Sequence, residues 1–326
     1  MRLSIIVPCY NEADNIKPFY DETVKALPSL IDETEILFIN DGSQDATYER
    51  ASEVIEDSPY DVHMLSFSRN FGKEAALLAG LEHASGEYVA IIDADLQQDP
   101  LYLAQMYQFL QSHPDYDEVA MVQDTRKESK ILVFFKNCFY KLINKMTDVE
   151  IVKSASDFRM LRRNVVEAIL SLPEKNRFSK GIFAWVGFNV KFMPYEGKER
   201  RAGESKWSFW KLFAYAIDGI IGYSTTPLVV SSTLGFILCL ISIILIIILF
   251  IKTLCFNDHL PGYPTMVTLL LFGMGVQLLA IGVVGEYLAK TYIEAKDRPM
   301  YIIKKHMTKQ GEIKDVEVSA SNHKTR

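Results

Sequence analysis

The chain has 326 residues, enough for one sizeable domain and something smaller, and 35 basic against 41 acidic residues leave a net charge of -6. That balance excludes a global basic field for nucleic acid. Cys9, Cys138, Cys239 and Cys255 lack the paired spacing of a disulfide framework or zinc site, and the six histidines are scattered without metal-ligand spacing, so both sets read as ordinary packing or surface residues.

Leu3-Ser4-Ile5-Ile6-Val7-Pro8 is an apolar run closed by a proline and predicts a buried strand. Met1-Arg2 leads straight into it, which predicts no cleavable signal peptide. A helix over 12–27, a strand over 35–39, a helix over 45–55, a strand over 62–66, a helix over 73–83 and a strand over 88–92 follow. Strands alternating with helices predict an α/β domain with a doubly wound, mostly parallel sheet. Such sheets keep their ligands just past the carboxyl ends of the strands.

Over 130–146, Lys130, Asn137, Lys141, Asn144 and Lys145 take one side of a helix and Ile131, Leu132, Phe135, Phe139, Leu142 and Ile143 the other. A helix in the membrane interface and a helix packed on the domain are equally open there. Over 206–221 the aromatics Trp207, Phe209, Trp210, Phe213 and Tyr215 favour the interfacial reading. Residues 227–251 and 265–285 carry no charge, and each run matches the roughly 20 residues that cross a bilayer. Two transmembrane helices are expected. Arg200, Arg201, Lys206 and Lys211 precede them and Lys290, Lys296, Arg298, Lys304 and Lys305 follow, whereas the connector 252–264 has only Lys252 and Asp258 as charges. The positive-inside rule then puts both termini in the cytoplasm. From about residue 304 the chain reads as a polar tail without order.

Four strand-end segments carry chemistry. Pro8-Cys9-Tyr10-Asn11-Glu12 has polar groups that suit a base or ribose, although Asn and Glu also cap helices. In Asn40-Asp41-Gly42-Ser43-Gln44-Asp45, Gly42 permits close backbone approach. A turn with an N-cap accounts for Ser43 or Asp45 but leaves Asp41 unexplained, and Asp41 suits a pyrimidine N–H. Ser68-Arg69-Asn70-Phe71-Gly72-Lys73-Glu74 is a basic loop opening a helix, which suits phosphate, and it lacks Walker A spacing. Asp93-Ala94-Asp95-Leu96-Gln97 puts two carboxylates and an amide after an apolar strand. Asp-x-Asp there can hold a hard divalent cation, which commonly carries a diphosphate, or can serve as caps and loop residues.

With Asp157-Phe158-Arg159 and Arg200-Arg201-Ala202-Gly203-Glu204-Ser205-Lys206, these segments resemble family 2 glycosyltransferases of the GT-A fold over about 3–299. The resemblance is closest to membrane-anchored polyprenyl-phosphate glycosyltransferases, including bactoprenol glucosyltransferases and dolichyl-phosphate mannose synthase-like enzymes. Two spans ending in Gly285-Glu286-Tyr287 look like the bacterial branch. The resemblance implies a nucleotide pocket of Pro8, Tyr10, Glu12, Asp41, Lys73 and Asp93, with Asp95 and Gln97 on Mg2+ or Mn2+. Asp93 would lie near the ribose or sugar, and Asp157 would face sugar and acceptor, these two forming the catalytic pair. Arg200, Lys206 and Arg159 would bind acceptor phosphate. Asn40 and Trp207 depart from the commoner Asp and Tyr, and Ser154-Ala155-Ser156 replaces a more glycine-rich stretch.

The implied reaction is inverting, metal-dependent hexose transfer from a UDP-sugar, glucose before N-acetylglucosamine or GDP-mannose, to undecaprenyl or another polyprenyl phosphate. An ionised phosphate acceptor needs little base help, so Asp157 is expected mainly to orient groups or tune charge. The implied setting is the bacterial cytoplasmic membrane, with a likeness to tetrameric homo-oligomers. The expected division is a catalytic domain over 1–205, an interfacial helix over 206–226, spans over 227–251 and 265–289 around an outer loop over 252–264, and a tail over 290–326. Polysaccharide synthases fit less well, because no Gln-x-x-Arg-Trp segment surrounds Arg177-Phe178 and the spans number two. A membrane-anchored scaffold that only binds nucleotide is the reading from another class.

Overall fold

The computed structural model describes residues 2–123, 155–197, 221–222, 224–256, 262–313 and 317–318. The 130–146 candidate helix, all but the last residue of the 206–221 candidate, and Arg200 and Lys206 lie outside the described residues.

Four parallel strands form the centre of the sheet: β1 (Leu3–Cys9), β2 (Thr34–Asn40), β3 (Asp61–Phe67) and β4 (Tyr88–Ile91), in the order β3-β2-β1-β4. Their unbroken apolar runs follow from being covered on both faces, and β2 is buried at every position. The pleat sorts the side chains. Ile5, Val7, Ile36 and Phe38 pack with α1 (Ala13–Ala26), α2 (Thr47–Asp57) and α4 (Leu101–Ser112). Ile6, Leu37, Ile39 and Leu65 pack with α3 (Lys73–His83) on the other face. Helix α2 starts two residues after the position expected from sequence, because the Asp45 carboxylate accepts from the Thr47 amide at 3.1 Å and closes a turn before it.

Antiparallel strands extend the sheet on both sides and make it mixed. Beyond β4 lie β6 (Ala155–Arg162), β5 (Glu118–Gln123) and β7 (Val190–Tyr195), with β5 and β7 parallel to each other. Helices α5 (Arg163–Leu170) and α6 (Ser179–Trp185) cover the α3 face of this part.

The opposite edge corrects the expectation of a tail without order. Strand β8 (Ile302–Thr308) pairs antiparallel with β3, β9 (Gly311–Ile313) pairs with β8, and β10 (Glu317–Val318) flanks it. Lys304 and Lys305 make this stretch read as solvated, yet Ile303 is fully buried and Tyr301 stacks on Phe67 with centroids 5.0 Å apart. Pairing on both sides orders this stretch despite its lysines.

Two long helices precede β8: α7 (Thr226–Phe256) and α8 (Tyr263–Ala295). Each has a stretch long and apolar enough to cross a membrane, Thr226–Leu245 and Leu269–Ala295, and none of either stretch is buried. Large apolar side chains such as Phe236, Leu271 and Leu279 face outward. The end of α8 is fastened to the sheet domain. Glu294 accepts from the Lys175 and Asn176 amides at 2.9 and 3.0 Å, and the Lys175 ammonium pairs with Asp297 at 2.7 Å.

Candidate active site

The carboxyl ends of β1 to β4 lie together, and their loops are tied by side chains that the sequence motifs mark. Asn11 adopts a left-handed backbone at φ 55°; its amide donates to Ser43 Oγ and its side-chain oxygen accepts from the Gln44 amide, both at 2.9 Å. Pro8, Tyr10 and Glu12 are half-buried beside this join, and Glu12 accepts from Asn15 Nδ2 at 2.6 Å.

Asp41 is buried, and both its oxygens carry backbone hydrogen bonds, from the Phe71 amide at 2.6 Å and the Gly72 amide at 3.0 Å. Burial raises its pKa above the ordinary carboxylate value, against the pull of those two amides and Arg69. The amides that open α3, expected to face phosphate, are thus occupied by a carboxylate of the chain itself. A base meeting Asp41 shares oxygens already engaged. Gly42 is required beneath this loop: its φ is +64°, and a Cβ there would lie 2.3 Å from the Arg69 carbonyl carbon.

At the end of β4, Leu96 turns the chain at φ 58°, and the Gln97 amide donates to Asp95 Oδ1 at 3.2 Å. Asp95 is only 8% exposed. Gln98, which no motif singles out, holds this tip to β6: it accepts from the Asp93 amide at 3.1 Å and donates to Ser156 Oγ at 3.2 Å. Tyr195 is buried over the same join; burial pushes its phenol pKa up, opposed by hydrogen bonds with Ser156 and Gln98.

An ammonium bridges two of the expected catalytic residues. Lys73 Nζ lies 2.8 Å from Asp93 and 2.9 Å from Asp157, with the lysine side chain 42% exposed. Burial lowers the Lys73 pKa, but the two carboxylates outweigh it and the net shift is upward. For Asp157, burial raises the pKa, yet Lys73, Lys180 and Arg159 bring it down to about 2. Asp157 is therefore an ionised, weakly basic carboxylate at neutral pH.

That depression is also a stability statement. The ordinary value is 3.8, so the contribution is present above about pH 4 and is lost as pH falls toward 2. Its size is roughly 2 kcal/mol, at about 1.4 kcal/mol per pKa unit. Denaturant unfolding of Asp157→Asn against the parent is expected to differ by that amount at pH 7 and to converge only below about pH 2. A gap independent of pH would remove Lys73 as the cause.

Arg159 differs from its expected role as an acceptor-phosphate ligand. Its guanidinium is 4% exposed, donates to Glu118 at 2.6 Å and to the Ser156 carbonyl at 3.0 Å, and lies 3.6 Å from the Phe183 ring centroid. It holds the start of β6, two residues from Asp157, and is almost wholly shielded from solvent. Its partner Glu118 looks in sequence like a surface charge.

The donor set at the tip fits a hard divalent cation: the carboxylate of Asp95 and the amide oxygen of Gln97 at a strand end. The profile of glycosyl transferase family 2 matches residues 4–170, which takes in all four strand ends and the Asp157 segment. The chain belongs to glycosyl transferase family 2. This family 2 enzyme is 43% identical over 306 residues to the SfII prophage-derived bactoprenol glucosyl transferase of Shigella flexneri, covering 94% of this chain and 98% of that one. It is 42% identical over 310 residues to the bactoprenol glucosyl transferase of Shigella phage SfV, covering 95% and 100%. Among solved structures, the mannosyltransferase PcManGT from Pyrobaculum calidifontis, in complex with GDP-Man and Mn2+, matches at TM-score 0.46 and 18% identity, covering 88% of this chain and 87% of that one.

Proposed function

We infer that this glycosyltransferase moves a hexose, glucose by preference, from UDP to polyprenyl phosphate at a bacterial cytoplasmic membrane. The observation that carries the reading is the near-full-length identity to proteins named bactoprenol glucosyl transferases, apolar helices included. A UDP-sugar is the donor, undecaprenyl phosphate the acceptor, and α7 and α8 span the bilayer with both termini cytoplasmic. A homo-oligomer, with a tetramer as the first choice, completes the assembly.

A phosphate oxygen of the acceptor attacks the anomeric carbon while the bond to UDP breaks, and the electron pair leaves on the diphosphate. In-line attack inverts the centre, so an α-linked donor gives a β-linked lipid phosphate sugar. A divalent cation held by Asp95 and Gln97 supplies charge stabilisation for the leaving diphosphate. Pro8, Tyr10, Glu12 and Asp41 line the nucleotide side. Asp93 meets the ribose or sugar, and Lys73 keeps it from repelling Asp157. A phosphate monoester with a second pKa of about 6 is already ionised, so it needs no strong base. Asp157, with its pKa near 2, serves as an orienting charge rather than a proton acceptor. Arg200 and Lys206 offset the repulsion between the two anionic substrates.

The test is a panel of UDP-glucose, UDP-N-acetylglucosamine and GDP-mannose with purified protein, Mn2+ and undecaprenyl phosphate, read by product mass. UDP-glucose is expected to give the hexosyl lipid phosphate. Nucleotide binding with no release of UDP or GDP from any donor would instead favour a scaffold.

A further inference from the structure

Three of the six histidines, far apart in sequence, meet at the amino-terminal edge of the sheet. The His63 ring on β3 is 5.9 Å from the His306 ring on β8, which is 6.5 Å from His83 at the end of α3. Two carboxylates join them. Glu35 and Asp61 are register partners on β2 and β3, and His63 is two residues beyond Asp61, so one face of the pleat carries all three. Single ligand atoms of Glu35, Asp61 and His63 lie within 4.8 Å of one another, with His63 Nε2 at 2.5 Å from Asp61 Oδ1.

Glu35 shows what this corner lacks. The residue is 5% exposed, and its Oε1 accepts from Ser4 Oγ, the Ser85 amide and Ser85 Oγ. Its Oε2 accepts no hydrogen bond among the described residues. Its neighbours here are a second carboxylate and an imidazole nitrogen, which are electron-pair donors to a cation. The position is also remote from the catalytic tip: Glu35 lies five residues before Asn40 along β2, roughly 17 Å at the rise of a strand.

We propose that Glu35, Asp61 and His63 bind a divalent transition-metal ion of the zinc class, separate from the cation of the β4 tip. One imidazole and two carboxylates suit Zn2+, whereas Mg2+ prefers all-oxygen sites. The ion would tie β2 to β3 near their amino-terminal ends.

The test uses the untagged full chain in detergent, stripped with chelator and dialysed against Zn2+ in excess Mg2+, with metal counted by mass spectrometry. About one zinc per chain is expected in the parent and in Asp95→Asn. His63→Ala and Asp61→Asn, both at partly exposed positions, are expected to bind at least about tenfold more weakly while circular dichroism stays unchanged. A parent that retains no zinc overturns the proposal. Zinc retained by His63→Ala at the parental level, or lost from Asp95→Asn instead, overturns it equally.

Discussion

Asp95→Ala is expected to lower turnover by about a thousandfold or more while leaving the fold intact. A bound cation contributes several kcal/mol of charge stabilisation to a departing diphosphate, and about 1.4 kcal/mol is a factor of ten in rate. The structural cost of the change is small by comparison. The Asp95 carboxylate accepts from the Gln97 amide at 3.2 Å, a bond worth about 1 kcal/mol net. Asp95→Asn keeps an acceptor oxygen for that amide but removes the charge, so its turnover should fall nearly as far as that of the alanine variant. UDP release measured across a Mn2+ titration checks this, with thermal unfolding alongside. Full turnover in a folded Asp95→Ala protein would remove Asp95 from the cation site, and with it the reading of the tip.

The tip itself was legible because it needs only local signals: an apolar run, then acids and an amide where a parallel sheet ends. The same holds for β1 to β4 and for α3, whose ends coincide with the residues expected. What joins the site was hidden, because it depends on residues brought together by the sheet. Lys73 reads as a phosphate ligand at a helix start, yet it pairs with Asp93, 20 residues on, and with Asp157 on an antiparallel strand. Asp41 reads as a base contact, yet it closes the very loop expected to hold phosphate. Gln98 has no motif around it, and its role exists only because Ser156 arrives opposite. The three histidines show the same limit, since spacing along the chain carries no record of which strands become neighbours. Strand β8 was hidden for a different reason: Ile302-Ile303-Lys304-Lys305 lacks the apolar–polar alternation that marks a strand.

Arg159→Leu is expected to destabilise the protein by about 3–5 kcal/mol, the cost of leaving a buried charge without its partner. Glu118 is wholly buried, and burial already raises its pKa against the pull of Arg159. The pair is not fully satisfied: Glu118 Oε2 and Arg159 Nε are buried without hydrogen-bond partners. Such a pair adds little net stability as a whole, because desolvation offsets the attraction. The double variant Glu118→Leu/Arg159→Leu should therefore recover most of the loss, and calorimetry of the two variants separates a broken pair from lost packing on Phe183. A melting temperature lowered by roughly 10 °C in the single variant is the scale to expect for a domain of this size. Restored stability should not restore the site. Arg159 also holds the Ser156 carbonyl and contributes to the depressed pKa of Asp157. The double variant should fold well yet turn over more slowly than the parent, because the start of β6 and the charge of Asp157 are less firmly held. Parental turnover would mean that Arg159 acts on stability alone, and that Lys73 and Lys180 suffice to hold Asp157 ionised.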